Sequence, residues 1–297
     1  MKHRRPSVTL VLIILLTPTF VGCGGGGGDS GTNVPPPPMG DDDYVSDIVY
    51  CQVDGLDLKM DMARDFAFTG PRPAVIMVHG GGWFDGTKED FTDEAVALAD
   101  NGYVAFTISY RLTSASSEFD DPYAVGAQYP DAPDDVNCAI NHIVDNADVY
   151  DLDSNRIAIF GSSAGGHLAL LAAYRSSDVA AVVGWFAPTE MLELYQTSIE
   201  SDRVARFMGG TPSDVGEAVY AEASPLTYVS ATSPPTLVIQ GTADTTVPVE
   251  QAQLLEEALA PLSPESVFIY ISGGEHGLPG HRDEALQESI NFLNNVL

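Results

Sequence analysis

Along the chain, short apolar runs of period two alternate with longer runs of helical period, and turn residues punctuate them. From Asp47 the polar and apolar positions alternate, with Ile48, Tyr50 and Gln52 expected on one face. After Asp54-Gly55 a second alternation runs through Leu56, Leu58, Met60 and Met62. An Asp-Gly pair between two such runs predicts a hairpin. Pro73 to Val78 is continuously apolar, as a strand buried on both faces requires, and it ends in His79-Gly80-Gly81-Gly82-Trp83. A helix is predicted over 89–99, a strand over 104–110, and then a polar loop without clear period from Leu112 to Tyr129.

The second half repeats the alternation. Val136, Ile140, Ile143 and Val144 mark one face of a helix after Pro133. Strands are predicted over 157–160, 179–186, 236–240 and 267–271, with helices over 250–259 and 284–296. Residues 191–228 read as irregular helices, a lid-like insertion spanning about 187–232. Counting the hairpin, eight strands alternate with helices, which predicts an α/β fold: a mostly parallel sheet covered by helices on both faces.

The amino end has a different character. Lys2, Arg4 and Arg5 precede an apolar run from Val8 to Leu16, too short for a permanent span and laid out as an export signal. Phe20-Val21-Gly22-Cys23 resembles the bacterial lipobox, which implies a signal over 1–22, acylation of Cys23 and an exported lipoprotein facing the periplasm or outer membrane. Residues 23–43 hold an oligoglycine tract, four prolines and Asp41-Asp42-Asp43; such a segment buries too little apolar surface to fold and is expected as a solvated tether. The folded domain is then 44–297.

Charge narrows the class of partner. The chain has 13 Lys and Arg against 42 Asp and Glu, a formal charge of −29, and loss of the signal's three cations leaves about −32. Such a surface repels nucleic acid, so no nucleic-acid partner is expected. Cys51 and Cys138 fall on a predicted strand and a predicted helix; the sequence does not supply their separation and leaves their pairing open. Neither has the spacing of a metal site.

The chemistry gathers around Gly161-Ser162-Ser163-Ala164-Gly165, between an apolar strand and a helix. Only Ser163 fits the centre of G-x-S-x-G, because Phe160 and Ala164 stand where a register on Ser162 needs glycine. A serine hydroxyl needs a base to activate it and an acid to orient that base. Past the nucleophile helix, which carries His167, the histidines are His276, just beyond the last strand, and His281, which reads as a surface residue. Asp244 comes directly off the 236–240 strand and is the candidate acid. Gly81, Gly82 and the N–H of Ala164 are candidate donors to an oxyanion, because glycine admits the backbone angles and offers no side chain to block a substrate. Trp83, Met191 and Tyr195 are candidates for the substrate pocket; His167 is expected to pack at the start of its helix, His142 on a helix surface, and His79 as a strut for the glycine loop.

His79-Gly80-Gly81-Gly82-Trp83, Ser109-Tyr110-Arg111-Leu112, Asp153-Ser154-Asn155-Arg156-Ile157, Gly161 to His167 and Gly241-Thr242-Ala243-Asp244 together resemble the α/β-hydrolase esterases. The group they are most similar to is the feruloyl/acetyl-esterase-like branch near the hormone-sensitive lipases. Ser162 departs from the latter group, which usually carries an acid there. The resemblance implies hydrolysis of short-chain, acetyl, feruloyl or other aryl esters, esterified polysaccharide fragments among them, by Ser163, His276 and Asp244 through an acyl-enzyme, without metal or cofactor. Amide, peptide or formamide hydrolysis and a catalytically silent binding module are the alternatives, and oligomeric state is not legible.

Overall fold

The computed structural model describes residues 32, 33, 35, 43–118 and 120–297. The signal expected over 1–22 and the acylation expected at Cys23 lie outside the described residues. The strands in chain order are β1 (Thr32–Asn33), β2 (Tyr44–Val53), β3 (Leu56–Ala63), β4 (Arg72–Val78), β5 (Val104–Ile108), β6 (Leu152–Ser162), β7 (Ala181–Trp185), β8 (Thr236–Gly241) and β9 (Val267–Ile271). They form one sheet in the order β1-β2-β3-β5-β4-β6-β7-β8-β9. The pairs from β5 and β4 through to β9 are parallel, and β1, β2 and β3 extend the sheet antiparallel.

The helices are α1 (Thr92–Ala99), α2 (Asp131–Asp145), α3 (Ala147–Tyr150), α4 (Ala164–Arg175), α5 (Met191–Thr197), α6 (Ser201–Met208), α7 (Pro212–Val215), α8 (Glu217–Glu222), α9 (Val249–Leu259) and α10 (Arg282–Val296). Each central strand feeds both faces because successive side chains point opposite ways. Val75 and Met77 of β4 join Phe160, Leu98 and Leu293 under α1 and α10. Ala74, Ile76 and Val78 join Ile159, Ile140, Leu168 and Leu255 under α2, α4 and α9. The expected α/β architecture is therefore observed. The helices α5 to α8 form a cap between β7 and β8, where the irregular insertion was expected.

Three expectations change at the packing level, and the open pairing of Cys51 and Cys138 is decided. The hairpin forms, with φ +52° at Asp54 and +82° at Gly55, but a register shift between Val49 and Cys51 reverses the alternation. Tyr50 and Cys51 are consequently both buried and Gln52 is exposed, so Gln52 does not share the face of Ile48 and Tyr50. Within the segment expected as a tether over 23–43, Thr32 and Asn33 instead pair with Gln52 and Cys51, adding a short ninth strand at the sheet edge. Cys51 and Cys138 are bonded, with Cα atoms 6.3 Å apart, tying β2 to α2 across 87 residues of chain. His142 is fully buried rather than on a surface: α3 folds back so that the Tyr150 hydroxyl lies 2.8 Å from its Nε2.

Candidate active site

The β6–α4 corner is built by the absence of side chains on either side of Ser163. A Cβ at Gly161 would lie 2.1 Å from the Gly165 carbonyl oxygen, and one at Gly165 would lie 2.0 Å from that of Val78. Both separations are far inside van der Waals contact, so only glycine lets α4 start this close to β4. Ser163 has φ +53° and ψ −123°, a backbone conformation that costs about 1–3 kcal/mol for a residue with a side chain. Its amide donates to Trp185 on β7 at 2.8 Å, which holds the strained corner from the neighbouring strand.

Asp244 and His276 arrive from the loops after β8 and β9. Those loops are laced together: Thr242 N–H donates to Ile271 O at 2.9 Å and Ala243 N–H to Gly274 O at 2.9 Å. A Cβ at Gly241 would sit 2.3 Å from the Gly274 oxygen, so the approach again depends on glycine. The fully buried Asp244 carboxylate accepts N–H bonds from Thr246 and Val247 on Oδ1, each at 2.9 Å. Gln240 Nε2 and His276 Nδ1 reach its Oδ2 at 3.3 and 2.7 Å. His276 Nε2 lies 3.0 Å from Ser163 Oγ, and the imidazole packs edge-on to Phe186 with ring centres 4.9 Å apart. The three side chains proposed from sequence order thus form one hydrogen-bonded line, with His276 in the middle and 113 residues from Ser163 in the chain. His281 is elsewhere, pairing with Glu284 at the start of α10.

The glycine loop after β4 turns sharply back. Gly81, Gly82 and Trp83 have φ of +110°, +62° and +57°. A Cβ on Gly81 would lie 1.9 Å from the Asp85 carbonyl oxygen. His79 acts as the expected strut: its Nδ1 donates to Gly80 O at 2.8 Å and its ring stacks on Tyr110 at 4.3 Å. Burial lowers the His79 pKa and keeps the ring neutral. The Tyr110 hydroxyl donates to the His79 carbonyl at 3.0 Å, a second strut that sequence reading missed although Tyr110 stands just past the end of β5 at Ile108. From the cap, Arg203 Nη1 donates to Gly81 O at 3.3 Å, and that oxygen also accepts the amides of Phe84 and Asp85.

These elements open on a cavity of about 550 Å³ at the carboxyl ends of the parallel strands. Gly81, Gly82, Trp83, Ser163, Ala164 and His276 line it, and Asp244 lies buried behind His276. Met191 and Tyr195 do not line it. They share one stripe of α5, and that stripe faces α8, where Tyr195 packs on Tyr220 at 5.8 Å. The adjacent stripe supplies Leu194 to the cavity, followed by Ser198, Glu200, Arg203 and Val204. Arg203 was legible only as one of few cations in an acidic chain. Ser162 also lines the cavity, and nothing in the structure explains its choice over an acid. Among the described residues no group of three or more His, Cys, Asp or Glu side chains is arranged to hold a metal ion.

A serine hydroxyl against an imidazole, itself against a buried carboxylate, is an arrangement suited to nucleophilic attack on a carbonyl carbon. Comparisons with known proteins bear on the family and the fold. The Mycobacterium tuberculosis esterase LipC is 31% identical over 252 residues, covering 77% of this chain and 59% of its own length. The chain spans about half the length of the curated relatives it matches. Among solved structures, a bifunctional GH43-CE protein of Bacteroides eggerthii superposes with a TM-score of 0.74 at 29% identity, over 85% of this chain and 38% of that one. A thermophilic esterase of Thermogutta terrifontis, solved with propionate bound, has the same fold, with a TM-score of 0.70 at 23% identity over 86% of this chain and 94% of its own. The BD-FAE family model matches residues 60–259. With that model covering more than half of its length and an α/β-hydrolase topology beneath it, the chain belongs to the BD-FAE family.

Proposed function

We propose that the protein hydrolyses carboxylic esters, with Ser163 as nucleophile, His276 as general base and acid, and Asp244 as the group that orients His276. The observation that carries this reading is the pair of contacts at 3.0 Å and 2.7 Å joining Ser163, His276 and Asp244. His276 Nε2 takes the hydroxyl proton as Ser163 Oγ attacks the ester carbonyl. Negative charge passes to the carbonyl oxygen, for which Gly81, Gly82 and Ala164 are the proposed N–H donors. The imidazolium then protonates the leaving alcohol, and an acyl-enzyme on Ser163 remains. Water attacks that ester with His276 as base, the proton returns to Ser163, and the carboxylic acid leaves. Asp244 stays ionised throughout and stabilises the imidazolium.

The esterase names of its relatives support this chemistry. The cavity accommodates a short acyl or aryl group, and Ser198, Glu200, Arg203 and Thr246 present polar groups suited to a hydroxyl-rich alcohol, as in esterified polysaccharide fragments. A panel of acetyl, butyryl, octanoyl and feruloyl esters beside an aminoacyl anilide is the test. Ester turnover with Ser163→Ala inactive and unlabelled by a fluorophosphonate supports the reading; turnover of the anilide alone, or full activity in Ser163→Ala, overturns it. We further propose that Cys23 carries a lipid anchor holding the domain at the periplasmic or outer-membrane surface. Cys23→Ser is expected to release the protein from the membrane fraction.

A further inference from the structure

Trp83 and His167 are both buried, and the bond between them admits one protonation pattern. An indole N–H can only donate, so His167 Nδ1, 3.2 Å from Trp83 Nε1, is the acceptor. The ring proton of the neutral imidazole is then on Nε2, which meets the Ala223 carbonyl oxygen at 2.7 Å. A carbonyl can only accept, so the two contacts agree on a single tautomer. His167 itself sits in the first turn of α4, with its amide bonded to the Ser163 carbonyl at 3.0 Å. One side chain therefore connects the glycine loop, the helix behind the nucleophile and the residue that closes α8 in the cap.

The loop needs such a restraint. Trp83 has φ +57°, a region unfavourable for any residue with a Cβ, and it directly follows Gly82. Its ring stacks on Phe207 of α6 at 4.6 Å and meets His167 edge-on at 5.3 Å. The stacking contact leaves the indole free to slide in its own plane; the hydrogen bond to His167 removes that freedom.

We propose that His167 is a positioning residue for the oxyanion-binding loop: through the Trp83 indole it holds Gly81 and Gly82 beside Ser163, and through Ala223 it makes that placement depend on the seating of the cap. The proposal rests on the ester-hydrolase reading, but one of its tests does not. The chain has two tryptophans, and the other, Trp185, donates to Ser289 Oγ at 3.0 Å. Two indole N–H resonances are therefore expected from protein labelled with 15N-tryptophan.

The experiment compares Trp83→Phe, His167→Leu, their double variant and His167→Gln, which retains both an acceptor and a donor. With p-nitrophenyl acetate, Trp83→Phe and His167→Leu are expected to lower kcat by a similar factor, about 10- to 100-fold, with KM within about twofold. The double variant is expected to be no slower than the slower single one, and His167→Gln to recover part of the loss. The affinity of a trifluoromethyl ketone, whose hemiketal oxygen occupies the oxyanion position, is expected to fall in parallel with kcat. In His167→Leu the Trp83 indole resonance should move and lose its protection from exchange, while that of Trp185 stays. Trp83→Phe removes a single N–H bond from the interior and keeps the test open if His167→Leu does not fold. Folded variants with unchanged kcat, losses confined to KM, or a double variant whose loss is the product of the single losses would each overturn the proposal. An unmodified protein that ignores esters yet shows the protected Trp83 indole would refute the ester-hydrolase reading and leave the tie itself standing.

Discussion

The Ser163 amide donates to the Trp185 carbonyl at 2.8 Å, so the residue with φ +53° is pinned by the strand next to its own. That bond is available only because α4 starts against the β4 carbonyls, where Gly165 leaves room. Gly165→Ala is expected to force the Val78 carbonyl and the α4 turn apart and to destabilise the fold by about 3 kcal/mol or more, with loss of fluorophosphonate labelling. Denaturant unfolding of the variant measures the first and a labelling gel the second. Unchanged stability would mean that the corner has slack the geometry does not show.

Asp244→Asn separates orientation from packing. The amide oxygen can still accept the Thr246 and Val247 amides, but its NH2 group then faces His276 Nδ1. That imposes the tautomer with a proton on Nε2, which cannot accept from Ser163. A fall in kcat of about 10⁴ is expected, with the fold retained. Near-normal steady-state turnover would assign the orienting role elsewhere.

The Cys51–Cys138 bond closes a loop of 87 residues between β2 and α2, remote from the serine. Reduction, or replacement of both cysteines by serine, is expected to lower stability by about 2–4 kcal/mol without changing kcat on a small ester. Unfolding curves with and without reductant, paired with activity at low denaturant, check both halves.

His167 makes stability depend on pH. Burial pushes its pKa down to about 4, opposed by the bond to Ala223, whereas a histidine in the unfolded chain titrates near 6.5. Between those values the unfolded chain binds a proton that the folded one refuses. The contribution is therefore fully present above about pH 6.5 and is lost as pH falls through about 4, a total on the order of 3 kcal/mol. The difference in unfolding free energy between the unmodified protein and His167→Gln, followed from pH 7 to pH 4, isolates it from the many carboxylates. A difference that does not vary with pH would contradict the buried, neutral imidazole.

A pocket variant tests which stripe of α5 meets the substrate. Leu194→Trp is expected to lower kcat/KM for octanoyl esters at least about tenfold relative to acetyl esters, whereas Tyr195→Phe should leave that ratio unchanged. The opposite pattern would return Tyr195 to the pocket wall.

What the sequence determined by itself was local geometry and chain order. Continuous apolar runs marked the strands that Ser163, Asp244 and His276 trail, because the end of β6 and all of β8 are buried on both faces and leave little room for polar positions to alternate. Gly161, Gly165, Gly81 and Gly82 marked the turns, because excluding a Cβ is a property of the residue itself. The order serine, aspartate, histidine then followed from which strand each residue trails. Tertiary structure decided everything that depends on how elements rotate and approach. A bulge in β2, invisible to periodicity, turned Cys51 inward to meet Cys138; the rotation of α5 put Leu194 rather than Met191 or Tyr195 in the cavity. His142 was buried by the return of α3, and His167 acquired both its partners from segments 84 and 56 residues away. Side chains in adjacent stripes of a helix differ by a rotation that only the neighbouring surface fixes, and a hydrogen bond across the core exists only once packing has set its length.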